Sequence, residues 1–406
     1  MTNGTTGLSY LISPASTSLV TGFDQVVSSG GGGADTAQMF DSPQDDRLTA
    51  SPESVRLEAV SGAYLHQAEG FSAVYVTADG GGQDTANLED SPGDDLFYAE
   101  PRWGYMAYGT GQFLLISASA DGTKGFSRIS ATAAAGGEDI VYLLDAAAAG
   151  ANDTLVATQG SAQMSDGAGG SYANSATGFD QLYAYSRSGS DTATLTGSSG
   201  DDTLTILPAI AVMVYGGGGQ SVAIGFHAAE GTGGPGGLDS AYLYDSAGDD
   251  VYHLSRDQQT VETTGAGGHV YGKASGFDIV FANAYNGGRD RMNFVDQLDS
   301  NFFYGTLPLS YMYYSDGTLV GEYAGEEVDV TFTGGNETVL LNGSPYLQES
   351  LRNETSSDLR LEDQAGSYWM YLHGLDDRQD QVTATLQAND TSTITPAAVD
   401  YLFSVQ

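Results

Sequence analysis

Gly70-Phe71-Ser72-Ala73-Val74-Tyr75-Val76, followed by Gly81-Gly82-Gln83-Asp84-Thr85-Ala86-Asn87-Leu88-Glu89-Asp90-Ser91-Pro92-Gly93-Asp94-Asp95, is the stretch on which the fold turns. Apolar and polar side chains alternate at period two in two short segments, and glycine, aspartate and proline bound them. That is the pattern of half-buried strands joined by tight turns. A third segment follows the paired aspartates and ends at Pro101. The spacing from paired aspartate to proline recurs from Asp45 to Pro52 and from Asp201 to Pro208.

The opening mark is Gly22-Phe23-Asp24 in the first unit, and it returns at Gly70-Phe71, Gly125-Phe126, Gly178-Phe179, Gly225-Phe226 and Gly276-Phe277. Weaker copies stand at Gly325-Glu326-Glu327 and Gly374-Leu375-Asp376. Units of about fifty residues therefore begin near 22, 70, 125, 178, 225, 276, 325 and 374, after a partial unit at 1–21. The 406 residues read as one repeat-built β domain. Each unit has room for about five short strands and no helix. The alanine-rich pieces Ala131–Ala135 and Ala146–Ala149 are the only helix-friendly stretches, and they read as an insertion in the third unit.

Two architectures use such a period, a β-solenoid and a β-propeller with one blade per unit. The terminal segments around Leu8–Pro14 and Asn389–Pro396 look like one element present twice, whereas a propeller needs complementary ends. The expectation is an all-β, right-handed β-solenoid of about eight repeats, with the propeller as the alternative.

The formal net charge is −39, with 13 Lys and Arg against 52 Asp and Glu. Nucleic acid and anionic membrane both require cationic surface, so neither is expected as a partner. There is no cysteine, which excludes disulfides and thiolate chemistry. No apolar run reaches membrane-spanning length. Met1–Gly7 is polar, so a secreted form of this chain is expected to have lost its leader.

Gly-Phe-Asp-x-Val, then Gly-Gly-x-Asp-Thr-Ala-x-Leu-x-Asp-Ser, then Gly-Asp-Asp resembles the tandem repeats of very large secreted or surface proteins of planctomycete-type bacteria. The nearest copies are Gln83–Asp95 and Leu238–Asp250. The resemblance implies tandem β-structure and an extracellular or cell-surface location, and it carries no chemistry.

The acidic loops are the main candidate site: Asp41, Asp45 and Asp46; Asp90, Asp94 and Asp95; Asp191, Asp201 and Asp202; Asp245, Asp249 and Asp250. Stacked carboxylates with few basic neighbours suit Ca²⁺, which takes oxygen ligands. The same residues also cap turns by accepting backbone N–H groups, and the sequence leaves both roles open. The Asp of Gly-Gly-x-Asp-Thr (Asp35, Asp84, Asp139, Asp191) reads as a turn residue. Phe23, Phe71, Phe126, Phe179, Phe226 and Phe277 are expected to form an internal aromatic ladder. Tyr98, Tyr105, Tyr108, Tyr311, Tyr313 and Tyr314 are expected at the surface.

Uniform repeats build length and surface, whereas catalysis needs one singular place. The expectation is therefore a non-enzymatic structural or adhesive protein of a fibre, surface coat or matrix, cation-stabilised and self-associating. Its partners would be copies of itself or other surface proteins. The alternatives are a carbohydrate-binding module, with glycans as partners, and a β-helical polysaccharide lyase or epimerase, for which Arg289 and Arg291 beside Asp290 are the closest basic pair.

Overall fold

The computed structural model describes residues 9–13, 16–20, 24–145, 152–167, 170–263, 268–297, 300–306, 309–344, 348–375, 380–387, 390–392 and 402–405. Among them every regular element is a β-strand, most of five or six residues, and no helix occurs. Ala131, which looked helix-friendly, lies in the strand Phe126–Thr132. The run Ala146–Ala149 and Phe23 lie outside the described residues.

Five strands make each of the seven units between Gln25 and His373, as the spacing predicts. In the second unit they are Ala73–Ala78, Asp84–Glu89, Leu96–Glu100, Trp103–Ala107 and Phe113–Ala118. The last three form an antiparallel meander. Pro101 presets its own φ, and Arg102 takes a left-handed φ of 72°, so the chain reverses in two residues.

The fold is a β-solenoid of stacked parallel strands, not a propeller. In the stack Thr36–Phe40, Ala73–Ala78 and Phe113–Ala118 are parallel neighbours, and so are Asp46–Ala50, Asp84–Glu89 and Phe126–Thr132. These pairings extend as two open ladders rather than closing into a ring.

Successive units exchange sheets. The first places its meander, Asp46–Ala50, Ser54–Ala59 and Leu65–Glu69, in one sheet, and the second places its own in the other. Most inward positions are apolar and covered, among them Leu48, Leu57, Leu88, Phe97, Met106, Leu114 and Ile116, although His66, Asn174 and Glu322 are buried on strands as well.

Phe71, Phe126, Phe179, Phe226 and Phe277 are all buried. Among the described ring contacts none joins two of them; Phe179 instead meets Phe97, with ring centroids 6.1 Å apart. The expected continuous ladder is broken because consecutive units open on alternate sheets. Tyr108 and Tyr314 are buried too, at 6% and 1% exposure, contrary to the surface reading.

Chain contacts divide the molecule into two compact bodies, Met1–Leu195 with Gly218–His227, and Thr196–Gly217 with Ala228–Gln406. Both are made of the same repeat. In the first, Gly82 has a φ of 107°, and a Cβ there would stand 2.3 Å from the Gln44 carbonyl oxygen. Gly137 meets the Gly93 carbonyl in the same way. The glycine pair of each unit is thus the place where its backbone closes onto the acidic loop of the unit before.

Candidate metal centre

Each acidic loop first folds on itself. The Asp46 carboxylate accepts the Ser42 N–H at 2.7 Å and the Ser42 hydroxyl at 3.0 Å, while the Ser42 hydroxyl oxygen accepts the Gln44 N–H. Ser91 and Asp95 repeat this arrangement at 2.8 Å. Serine four residues before aspartate makes a compact turn that turns the carboxylate inward.

The next unit then bonds to that loop. The Asp46 N–H donates to Asp84 Oδ1 at 2.9 Å, Asp95 N–H to Asp139 Oδ1 at 2.8 Å, and Asp153 N–H to Asp191 Oδ1 at 2.6 Å. Asp41 accepts the N–H groups of Asp79 and Gly80, and Asp90 those of Ala134 and Ala135. Three carboxylates therefore meet at each of three boundaries in the first body, two from one unit and one from the next.

Among the described residues three such groups bring ligand oxygens within 4.8 Å of one another: Asp41, Asp46 and Asp84; Asp90, Asp95 and Asp139; Asp145, Asp153 and Asp191. All nine residues are buried and all belong to the first body. These clusters could hold a metal ion.

The first cluster carries a further sign. Asp84 is fully buried and Asp41 is 8% exposed, yet Oδ2 of each has no hydrogen-bond partner. Burial pushes Asp84 up to about 8, and the carboxylates of Asp41 and Asp46 add to the shift. Burial raises Asp41 to about 6, partly offset by the Gly80 N–H. Asp46 is raised by burial as well. The buried Tyr64 hydroxyl lies beside Asp46, and the two groups interact directly.

In the second cluster burial raises Asp139 to about 6, and the hydroxyl of the buried Tyr108, on which Asp95 is the strongest charged influence, has no hydrogen-bond partner. A buried anionic oxygen with no donor is costly. A proton or a cation relieves it.

Each aspartate named from the sequence now has a place. Asp41, Asp46, Asp90 and Asp95 enter clusters. Asp45, Asp94, Asp201 and Asp249 do not; their carboxylates accept the N–H groups of Gln83, Glu138, Leu238 and Arg289 in the following unit. Those four are turn caps.

Asp202, Asp245 and Asp250, in the second body, are fully buried, but among the described residues they belong to no group of three whose ligand oxygens all lie within 4.8 Å; the Asp250 N–H still donates to Asp290. Asp202 faces Asp239 with Gly197 where an aspartate stands elsewhere. Asp191 was named with Asp201 and Asp202 but clusters instead with Asp145 and Asp153; Asp84, Asp139, Asp145 and Asp153 were not assigned to the site from sequence. The recurrence of Gly-Gly-x-Asp was the available signal, but its partner loop lies some forty residues earlier.

Outward tyrosines of the sheet holding Tyr98, Tyr105, Tyr142 and Tyr183 stack on each other, Tyr98 on Tyr105 at 5.1 Å and 8°, Tyr142 on Tyr183 at 5.2 Å and 19°. Ring faces are thereby covered and edges are presented. Comparison with protein-family models, with curated proteins and with solved structures gives no match for this chain.

Proposed function

We propose that this chain is an extracellular structural repeat protein whose unit boundaries are clamped by Ca²⁺ and whose copies associate. The observation that carries the reading is the recurrence of one buried three-carboxylate cluster, each built across two successive units. A cation at that place ties one unit to the next, which is a structural task rather than a catalytic one.

Oxygen-only donors at an irregular buried site suit Ca²⁺ better than Mg²⁺, which demands near-ideal octahedral geometry and keeps its water. Sites of ordinary extracellular affinity fill where free calcium is millimolar, which favours a surface or matrix location. The basic pair a lyase would need is engaged: Arg289 pairs with Glu327 and Arg291 with Asp329. Sugar stacking needs open ring faces, and the covered tyrosines offer few.

Self-association has its own support. On the outward strand positions of the tyrosine-bearing sheet in the first body, Glu100 is the only charged side chain among the described residues, and Arg187 pairs with it at 2.9 Å. The other sheet shows Arg47, Arg56, Glu58 and Glu89. A second copy approaches the uncharged face without bringing like charges together. Concentration-dependent sedimentation supports this part, and a strict monomer at high concentration in calcium removes it.

Thermal melts in chelator, calcium and magnesium at matched ionic strength test the clamp. Millimolar calcium at sites of about 10⁻⁴ M contributes about 1.4 kcal/mol per site. Asp84→Asn should lose one site's share of that gain. Coincident curves in all three conditions would leave the aspartates as turn-formers holding protons, and the calcium reading would fall.

A further inference from the structure

The three clusters of the first body share their carboxylates but differ in the side chain that follows the strand after each opening mark. The residue donating its backbone N–H to the first carboxylate is Asp79 in the first cluster, Ala134 in the second and Arg187 in the third. Only in the third does that residue bring a positive charge. Arg187 Nε donates to Asp145 Oδ1 at 3.0 Å while its backbone N–H donates to Oδ2 at 2.9 Å.

The guanidinium also reaches the Asp145 carbonyl oxygen and Glu100. Two further donors enter the third cluster. Tyr172 donates its hydroxyl to Asp153 at 2.8 Å, and Ser186 donates to Asp191 Oδ2 at 2.6 Å. In the first cluster Tyr64 takes the corresponding place beside Asp46, so the tyrosine does not set the third cluster apart from the first; the cation does.

We infer that Arg187 is a resident cation that closes the third cluster to metal, so that of the three clusters only the first two take a divalent ion. This rests on the calcium reading above. A guanidinium and a Ca²⁺ ion compete for the same carboxylate charge, and a covalently attached cation at hydrogen-bonding distance is always present at saturating local concentration. Asp79 adds negative charge to the first cluster, and Ala134 adds none to the second. Both remain open to an ion from solution.

The test counts bound calcium by equilibrium dialysis on the full chain, with circular dichroism verifying the fold. Wild type should bind two ions in these clusters, Arg187→Ala three, and Arg187→Lys two, since lysine keeps the charge. Ala134→Arg carries the substitution the other way and should bind one. It also keeps the question answerable if Arg187→Ala fails to fold.

Three ions in wild type, or no change in a folded Arg187→Ala or Ala134→Arg protein, overturns the inference while leaving the calcium reading intact. No bound ion in wild type overturns both.

Discussion

The cluster Asp41–Asp46–Asp84 and the cluster Asp145–Asp153–Asp191 have the same burial, the same inter-unit hydrogen bond and the same carboxylate count, yet they differ in electrostatic closure. In the third, Arg187 supplies a cation. In the first, two buried oxygens have no donor.

The second body extends the contrast without charge. Asn286 donates its side-chain amide to Asp245 Oδ1 at 3.0 Å, and Thr333 donates its hydroxyl to Asp296 at 2.8 Å. One position after the unit's first strand thus sets which donor, if any, the repeated loop supplies to its first carboxylate. Repetition of backbone geometry does not imply repetition of chemistry.

The largest expected effect should be blind to this contrast. Phe126 is fully buried, and Phe126→Ala removes a packed ring, which should lower stability by about 3–5 kcal/mol. Chemical denaturation should give the same loss in chelator and in calcium. A loss that calcium restores would mean that the ring supports the ion clusters rather than the general core.

Proton linkage separates the clusters next. Asp41 and Asp84 bind a proton more tightly folded, at about 6 and about 8, than at their ordinary 3.8. The folded state therefore holds extra protons between about pH 4 and 8, and stability in chelator falls as pH rises through that window. One retained proton gives a slope of about 1.4 kcal/mol per pH unit. Calcium, which needs the ionised carboxylates, should flatten or reverse the slope. A pH-independent chelator melt from pH 5 to 8 would show that these carboxylates are not protonated when metal is withheld.

The smallest effect belongs to the exposed partner of each pair. Asp94→Ala removes the cap on the Glu138 N–H and should cost about 0.5–1 kcal/mol. The calcium increment should stay unchanged. A lost increment would place Asp94 among the ligands.

Strands, their number per unit and the inward phenylalanines of the opening marks were legible because period two and turn residues are local properties. Val74, Val76, Leu88 and Phe97 alternate with polar neighbours and are buried where that alternation puts them. The acidic loop was legible as an element, and within it the sequence could not separate Asp45 from Asp46. Both carry the same charge in the same motif, and only the direction of the turn makes one a solvent-side cap and the other a buried cluster member.

The sequence by itself determined an acidic, cysteine-free, all-β chain of about fifty-residue units, since composition and periodicity require no knowledge of long-range contacts. Tertiary structure alone decided that units exchange sheets and that Tyr108 is buried. It also decided that Asp84 completes a cluster begun by Asp41 and Asp46, and that Arg187 neutralises one cluster of three. Each of those facts depends on groups some forty residues apart meeting across a unit boundary, where stacking rather than local pattern sets the distance.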